Sequence, residues 1–159
     1  PDEAGVLATA SRVREFCEFL AGTLGLSATD IRSRARRDTA QRLGIHTSCH
    51  QRTLGLIGQA QALLSGVPGL SVLPLEHDEQ CCGFGGTFAV KQPELSAAMV
   101  RDKVTALKAA RPDALVSGDA GCLLNIAGAC RRAGVRLRPL SAAEVIAEAW
   151  GLLDPEPTS

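Results

Sequence analysis

Six cysteines stand in this chain of 159 residues, and four of them are spaced for chemistry. Cys81 and Cys82 are adjacent and followed by Gly83, with Cys49 upstream and Cys122 downstream. Neighbouring cysteines cannot easily close a disulfide without straining the peptide between them. Both can turn towards one metal centre when the next residue is a permissive glycine. Thiolates drawn from three separate segments form a four-cysteine ligand set, the kind that holds an iron–sulfur cluster or a zinc ion. The pattern reads as a metal-thiolate protein, and first of all as an electron carrier.

The other chemistry-bearing residues have plainer accounts. Cys17 lies between Phe16 and Leu20 on an apolar helical face, and Cys130 falls two turns after Cys122 beside Ile126. Both read as small hydrophobes of the core. His50 adjoins Cys49 and either binds metal, donates to a cluster or serves the helix start. His46 reads as a structural strand residue and His77 as solvated. Asp119 either accepts a hydrogen bond beside the centre or forms a turn. The Gly83-x-Gly85-Gly86 run lacks the spacing of a phosphate loop. With Gly83, Gly85, His50 and Asp119 as candidates to surround the ligands, the quartet Cys49, Cys81, Cys82 and Cys122 is the predicted metal site.

Composition narrows the field. The chain is long enough for one domain with a buried core, and its apolar content is 45%. Its formal charge is zero, which argues against nucleic-acid binding. No apolar run is long enough to span a bilayer and no signal peptide is evident, so the reading is a soluble, cytoplasmic protein. In a reducing compartment, cysteines are kept for metal, catalysis or the core more often than for disulfides. The chain opens Pro1-Asp2-Glu3 without methionine, as a fragment or processed product would.

These residues need elements to position them. Val13, Phe16, Cys17, Leu20 and Leu24 predict a helix over about 8–25, ended by Gly25, followed by a solvated basic stretch over 33–38. A strand is expected over 43–47 and a helix over about 53–65. A second strand covers 70–75, and a loop without regular period covers 76–92. Pro93-Glu94 opens a helix to about Ala110. A strand at 114–117 leads into a helix over about 122–133 with Gly134 as its stop. A last strand covers 135–140, and Ser141 with Glu144 caps a final helix. The expected organisation is one domain over 1–153, with a helix and linker region over 1–40, an α/β core over 41–153 and a frayed tail over 154–159. Four strands alternating with helices predict a small parallel sheet covered by helices, Rossmann-like in its winding. Cys49, Cys81-Cys82 and Cys122 each follow a strand. In a parallel sheet they therefore share the carboxyl edge, where such folds place their ligands. Cys49 and Cys122 also fall near helix starts, where free N–H groups favour a thiolate.

The strings His46-Thr47-Ser48-Cys49-His50, Cys81-Cys82-Gly83-Phe84-Gly85-Gly86-Thr87-Phe88 with Lys91, and Gly118-Asp119-Ala120-Gly121-Cys122-Leu123 carry a resemblance. So do Ser96-Ala97-Ala98-Met99 and Ala143-Glu144-Val145. Together they resemble the cysteine-rich CCG domain of the lactate-utilisation protein A and glycolate oxidase iron–sulfur subunit group. The cysteine-rich subunit of heterodisulfide reductase is a more distant relative. The resemblance runs from about residue 10 to 150. It implies that Cys49, Cys81, Cys82 and Cys122 hold an iron–sulfur cluster, and that the cluster passes electrons within a complex that oxidises L-lactate or glycolate. The partners it implies are other subunits of that complex, including a flavin or iron–sulfur subunit. Two departures stand out. The reductase pattern supplies a fifth cysteine where this chain has Asn125, which favours a four-cysteine 4Fe-4S cluster over a five-cysteine one. Proteins of this group usually carry two such domains, and this chain shows one, resembling the C-terminal half.

Two other functions compete with electron transfer. One is a four-cysteine zinc module for structure or assembly, and the other is thiol–disulfide chemistry of the reductase kind. No flavin or nicotinamide motif is recognisable, so catalysis of substrate oxidation is not expected of this chain alone.

Overall fold

The computed structural model describes residues 2–155, so the end of the expected frayed tail (156–159) lies outside the described residues. The elements in chain order are α1 (Glu3–Ala10), α2 (Phe16–Glu18), α3 (Ala28–Ser33), β1 (Arg42–Ile45), α4 (Cys49–Thr53), α5 (Gln59–Leu64) and β2 (Ser71–Leu73). They continue with α6 (Phe88–Lys91), α7 (Pro93–Ala110), β3 (Ala114–Val116), α8 (Ala120–Arg132), β4 (Arg138–Leu140) and α9 (Ala142–Ala149). The sheet has the order β2-β1-β3-β4, and every neighbouring pair is parallel. This is the expected α/β architecture. A parallel sheet needs helical crossovers, and the chain supplies them.

β3 is buried on both faces, as a central parallel strand should be. Its alternation splits the core in two. Ala114 and Val116 point into a cluster with Leu43, Leu64, Leu140, Val145 and Ala149. Leu115 points into the other, with Val100, Val104, Leu107, Ile126, Cys130 and, at its rim, Cys82 and Cys122. Residues before 40 belong to the first cluster, where Cys17, Leu20 and Ile31 are buried. The Trp150 indole N–H donates to the Ile31 carbonyl at 3.0 Å, fastening this region to the end of α9.

The core also holds an ion pair. Arg138 at the start of β4 meets Glu148 of α9 through two hydrogen bonds of 2.6 and 3.2 Å, with both side chains buried. The bidentate geometry matches both charges inside the protein, where an unpaired charge is costly.

Several elements differ from expectation. The helix over 8–25 is broken: α1 ends at Ala10, and α2 restarts at a Glu15–Glu18 capping box and continues as a π-helical turn, Phe19–Thr23. Val13 and Leu24, expected on its apolar face, are exposed. α3 is an additional helix. A Ser27–Asp30 capping box starts it before the basic stretch and buries Ile31. The helix expected over 53–65 is the shorter α5, starting only at Gln59 because Gly55 and Gly58 take positive φ before it, and α4 is an additional short helix that ends at Thr53. A short α6 forms inside the segment expected to be irregular. β4 begins three residues late, and α8 begins two residues early, at the cap supplied by Asp119.

Candidate metal centre

β1, β2 and β3 all end at one rim, and each strand end leads into a cysteine segment. Beyond β1 the ladder runs one step further, since the His46 N–H donates to the Val116 carbonyl at 2.8 Å. Ser48 then caps α4 through a capping box with the buried Gln51, placing Cys49 at the first helical position. The loop after β3 crosses directly over Gln51. A Cβ on Gly118 would stand 2.5 Å from the Gln51 amide nitrogen, so a side chain here would have to displace the Gln51 amide. Asp119 then caps α8, accepting the Cys122 N–H at 2.9 Å, and Cys122 is fixed in the first turn. The turn-former alternative for Asp119 thus has a definite form, a cap.

The CCG segment is held from α7. The Ser96 hydroxyl donates to the Gly83 carbonyl at 2.7 Å. Gly83 has φ +83°, and a Cβ there would meet the Ser96 carbonyl oxygen at 2.6 Å. Conformation and space both demand glycine after the cysteine pair. Asn125 donates its side-chain amide to the Cys82 carbonyl at 2.9 Å.

Cys82 and Cys122, 40 residues apart, place their sulfurs 3.1 Å from one another. Both are buried free thiols. The Cys82–Cys122 hydrogen bond holds the Cys82 pKa well below the ordinary thiol value, against the effect of burial. Cys122 is correspondingly pushed up, first by holding that hydrogen bond, then by burial and by negative charge at Cys82, Asp119 and Cys49. Two buried soft donors at this separation suit a metal cation.

The third member is His46, whose sequence context reads as structural. Its ring nitrogen and the sulfurs of Cys82 and Cys122 all lie within 4.8 Å of one another, a group able to hold a metal ion. His46 is 1% exposed and its Nδ1 lies 3.0 Å from the Asp78 carbonyl. The signal available in the sequence is its place at the end of β1, three residues before Cys49.

The remaining candidates sit around this trio. Cys49 is exposed on the same rim, and its charge is felt at Cys122. Cys81 is half-buried, with its sulfur 3.4 Å from the Gly83 nitrogen. Neither belongs to the close trio. His50 is exposed on α4, and Gly85 lies in open space with nothing within 4 Å of a built Cβ. Cys17 and Cys130 are buried in apolar surroundings that push their thiols up to about 12 and about 11, as core packing implies.

Lys103 reaches the rim from α7. It is 4% exposed and donates its ammonium to the carbonyls of His77 and Asp78, the latter at 3.1 Å. Burial lowers its pKa to about 8, against the attraction of Asp78, Cys82 and Cys122. A buried cation on this loop offsets part of the negative charge of the sulfurs.

The chain is similar to known proteins over most of its length. The cysteine-rich domain family CCG matches residues 43–127, just over half of the chain, from β1 through most of α8. Lactate utilization protein A of Oceanobacillus iheyensis is 38% identical over 148 residues, covering 92% of this chain and 58% of that protein. Lactate utilization protein A 2 of Bacillus cereus strain Q1 is 37% identical over 140 residues, covering 87% and 55%. Lactate utilization protein A 1 of Bacillus anthracis is 38% identical with the same coverage. The chain thus spans little more than half the length of these curated relatives.

Proposed function

The chain belongs to the cysteine-rich CCG domain family, and from that premise we propose that it is an iron–sulfur electron-transfer domain of a system that oxidises a 2-hydroxy acid. L-lactate is the first candidate and glycolate the second, since the relatives are named for lactate utilization. The observation that carries this reading is the buried Cys82–Cys122 pair beside His46, soft donors gathered from distant segments. Thiolates suit iron–sulfur chemistry. Cys49, Cys81, Cys82 and Cys122 would hold a 4Fe-4S cluster, which takes up and releases single electrons at a potential set by ligands, hydrogen bonds and burial.

The chain's own residues do the rest. The caps from Ser48 and Asp119 fix two cysteines at helix starts, where backbone N–H groups face negative sulfur. Gly83 and Ser96 pin the vicinal pair against α7. Phe84, Val90 and Leu124 are exposed in segments flanking the cysteines. Apolar side chains at such a rim are what a docking subunit with a flavin or a second cluster would cover. The match spans little more than half the length of the relatives, so the whole-system role is proposed from this domain alone. The site of action would be the cytoplasm; among the described residues, no helix is long and apolar enough to cross a membrane.

The test is redox. Protein made and reconstituted without air should be brown, absorb near ~400 nm and bleach on one-electron reduction with the appearance of an EPR signal. A protein that assembles a centre but cannot be reduced or reoxidised at any accessible potential is no electron carrier.

One observation favours a second reading, a zinc-binding structural or assembly module. The 3.1 Å separation of Cys82 and Cys122 sulfurs is nearer to the ~3.8 Å expected of two thiolates on one tetrahedral ion than to ligands of different irons. Thiol–disulfide exchange has less support, because it needs an accessible attacking thiolate and Cys82 is 0% exposed.

A further inference from the structure

We propose that His46 is itself a ligand of the metal centre, so that the site is mixed nitrogen and sulfur rather than all thiolate. The inference rests on a metal being bound at this rim and goes beyond it by adding a donor outside the cysteine set.

The Asp78 carbonyl sets the tautomer of the ring. It lies 3.0 Å from His46 Nδ1 and accepts the Thr47 N–H at 3.2 Å and the Lys103 ammonium at 3.1 Å. A carbonyl oxygen can only accept, so Nδ1 must carry the hydrogen. The neutral ring then has its lone pair on Nε2. That atom is buried and has no hydrogen-bond partner among the described residues. A buried polar atom left unpaired costs on the order of 1–3 kcal/mol, and the sulfurs of Cys82 and Cys122 are the donor atoms gathered with the ring within 4.8 Å. Metal-bound histidines typically donate their other ring N–H to a carbonyl or carboxylate, which fixes the tautomer and aims the lone pair. His46 has that arrangement with Asp78, and Lys103 and Thr47 hold the carbonyl in place.

The position is anchored independently of any metal. The His46 backbone N–H continues the β1–β3 ladder, and the residue ends a strand instead of sitting on a free loop. On a four-iron cluster, which offers four terminal positions, His46 takes the place of one of the two cysteines outside the close trio, Cys49 or Cys81. Exchanging an anionic thiolate for a neutral imidazole raises a cluster's potential.

The experiment uses the full chain, reconstituted anaerobically with iron and sulfide, reduced and examined by pulsed EPR with natural-abundance and 15N-histidine protein. The expected result is a strong histidine nitrogen coupling. It should disappear in His46→Ala, with iron lost to a chelator at least about ten-fold faster. The coupling should persist in His50→Gln and in His77→Gln. The chain has three histidines, so these two variants assign the signal to His46 even if His46→Ala does not fold. A centre that assembles without histidine coupling overturns the inference and leaves the electron-transfer reading standing. A coupling lost with His50 or His77 overturns it as well. Failure to assemble any centre overturns both.

Discussion

Two regions of this molecule bury polar chemistry, and they resolve it differently. At β4 and α9, Arg138 and Glu148 meet through a bidentate pair, and the charge is balanced inside the chain. At the carboxyl rim, Cys82, Cys122 and His46 are buried as deeply, yet the two sulfurs meet only one another and the imidazole Nε2 has no partner among the described residues. The first arrangement is complete and serves the fold. The second is incomplete in a specific way: two soft sulfur donors and an imidazole converge on one place. The core cysteines mark the same contrast within one residue type. Burial above all pushes Cys17 and Cys130 up, whereas the hydrogen bond with Cys122 brings Cys82 down.

The strongest way to break this contrast is to remove one sulfur from each kind of place. Cys82→Ala should cut retained metal at least about ten-fold, whereas Cys17→Ala and Cys130→Ala should keep the wild-type content, measured by elemental analysis after anaerobic reconstitution. Equal losses in all three would erase the distinction. The converse test targets the closed region. Arg138→Ala strands a buried carboxylate and should cost about 3–5 kcal/mol in urea unfolding, with Cys82 chemistry intact in the folded fraction. A loss under about 1 kcal/mol would mean that water reaches Glu148 and the pair is not closed.

The parallel sheet and its rim are legible in the alternation of strands and helices, and the vicinal cysteines stand out by their glycine. Three features are not legible. The break at Leu54–Gly58 hides behind Leu56, Ile57 and Ala60, whose apolar spacing continues the helical pattern across two glycines that turn the backbone. α3 is masked by the basic residues after it, although Ser27 and Asp30 carry its cap. His46 looks like one more strand residue, because only the fold brings the Asp78 carbonyl and two distant sulfurs around its ring. Local chemistry can be read along the chain; convergence of remote segments on one side chain cannot.

Two smaller effects sharpen the comparison. Gly83→Ala combines positive φ with a close approach to Ser96, and should cost about 1–3 kcal/mol while loosening the vicinal pair. Iron release to a chelator should accelerate in that variant, and an unchanged rate would show that the pair is held by other means. The core thiols make a signature in alkali. Their folded pKa values lie above the ordinary thiol value, so their neutral forms favour the fold below about pH 9. That contribution is lost as pH rises from about 9 towards about 12 for Cys17, because the unfolded state ionises first. Cys17→Ala should therefore lose less stability than wild type between pH 9 and 11, compared by urea midpoints of the metal-free protein. A wild-type slope in the variant would remove Cys17 from the alkaline response.

The central claim is that the carboxyl rim holds an iron–sulfur centre. Its most direct test is the metal and acid-labile sulfide content of protein expressed and purified without exposure to air. A cluster at this rim predicts iron and sulfide in equal amounts, about four of each per chain, with little zinc. One zinc per chain without sulfide would contradict it.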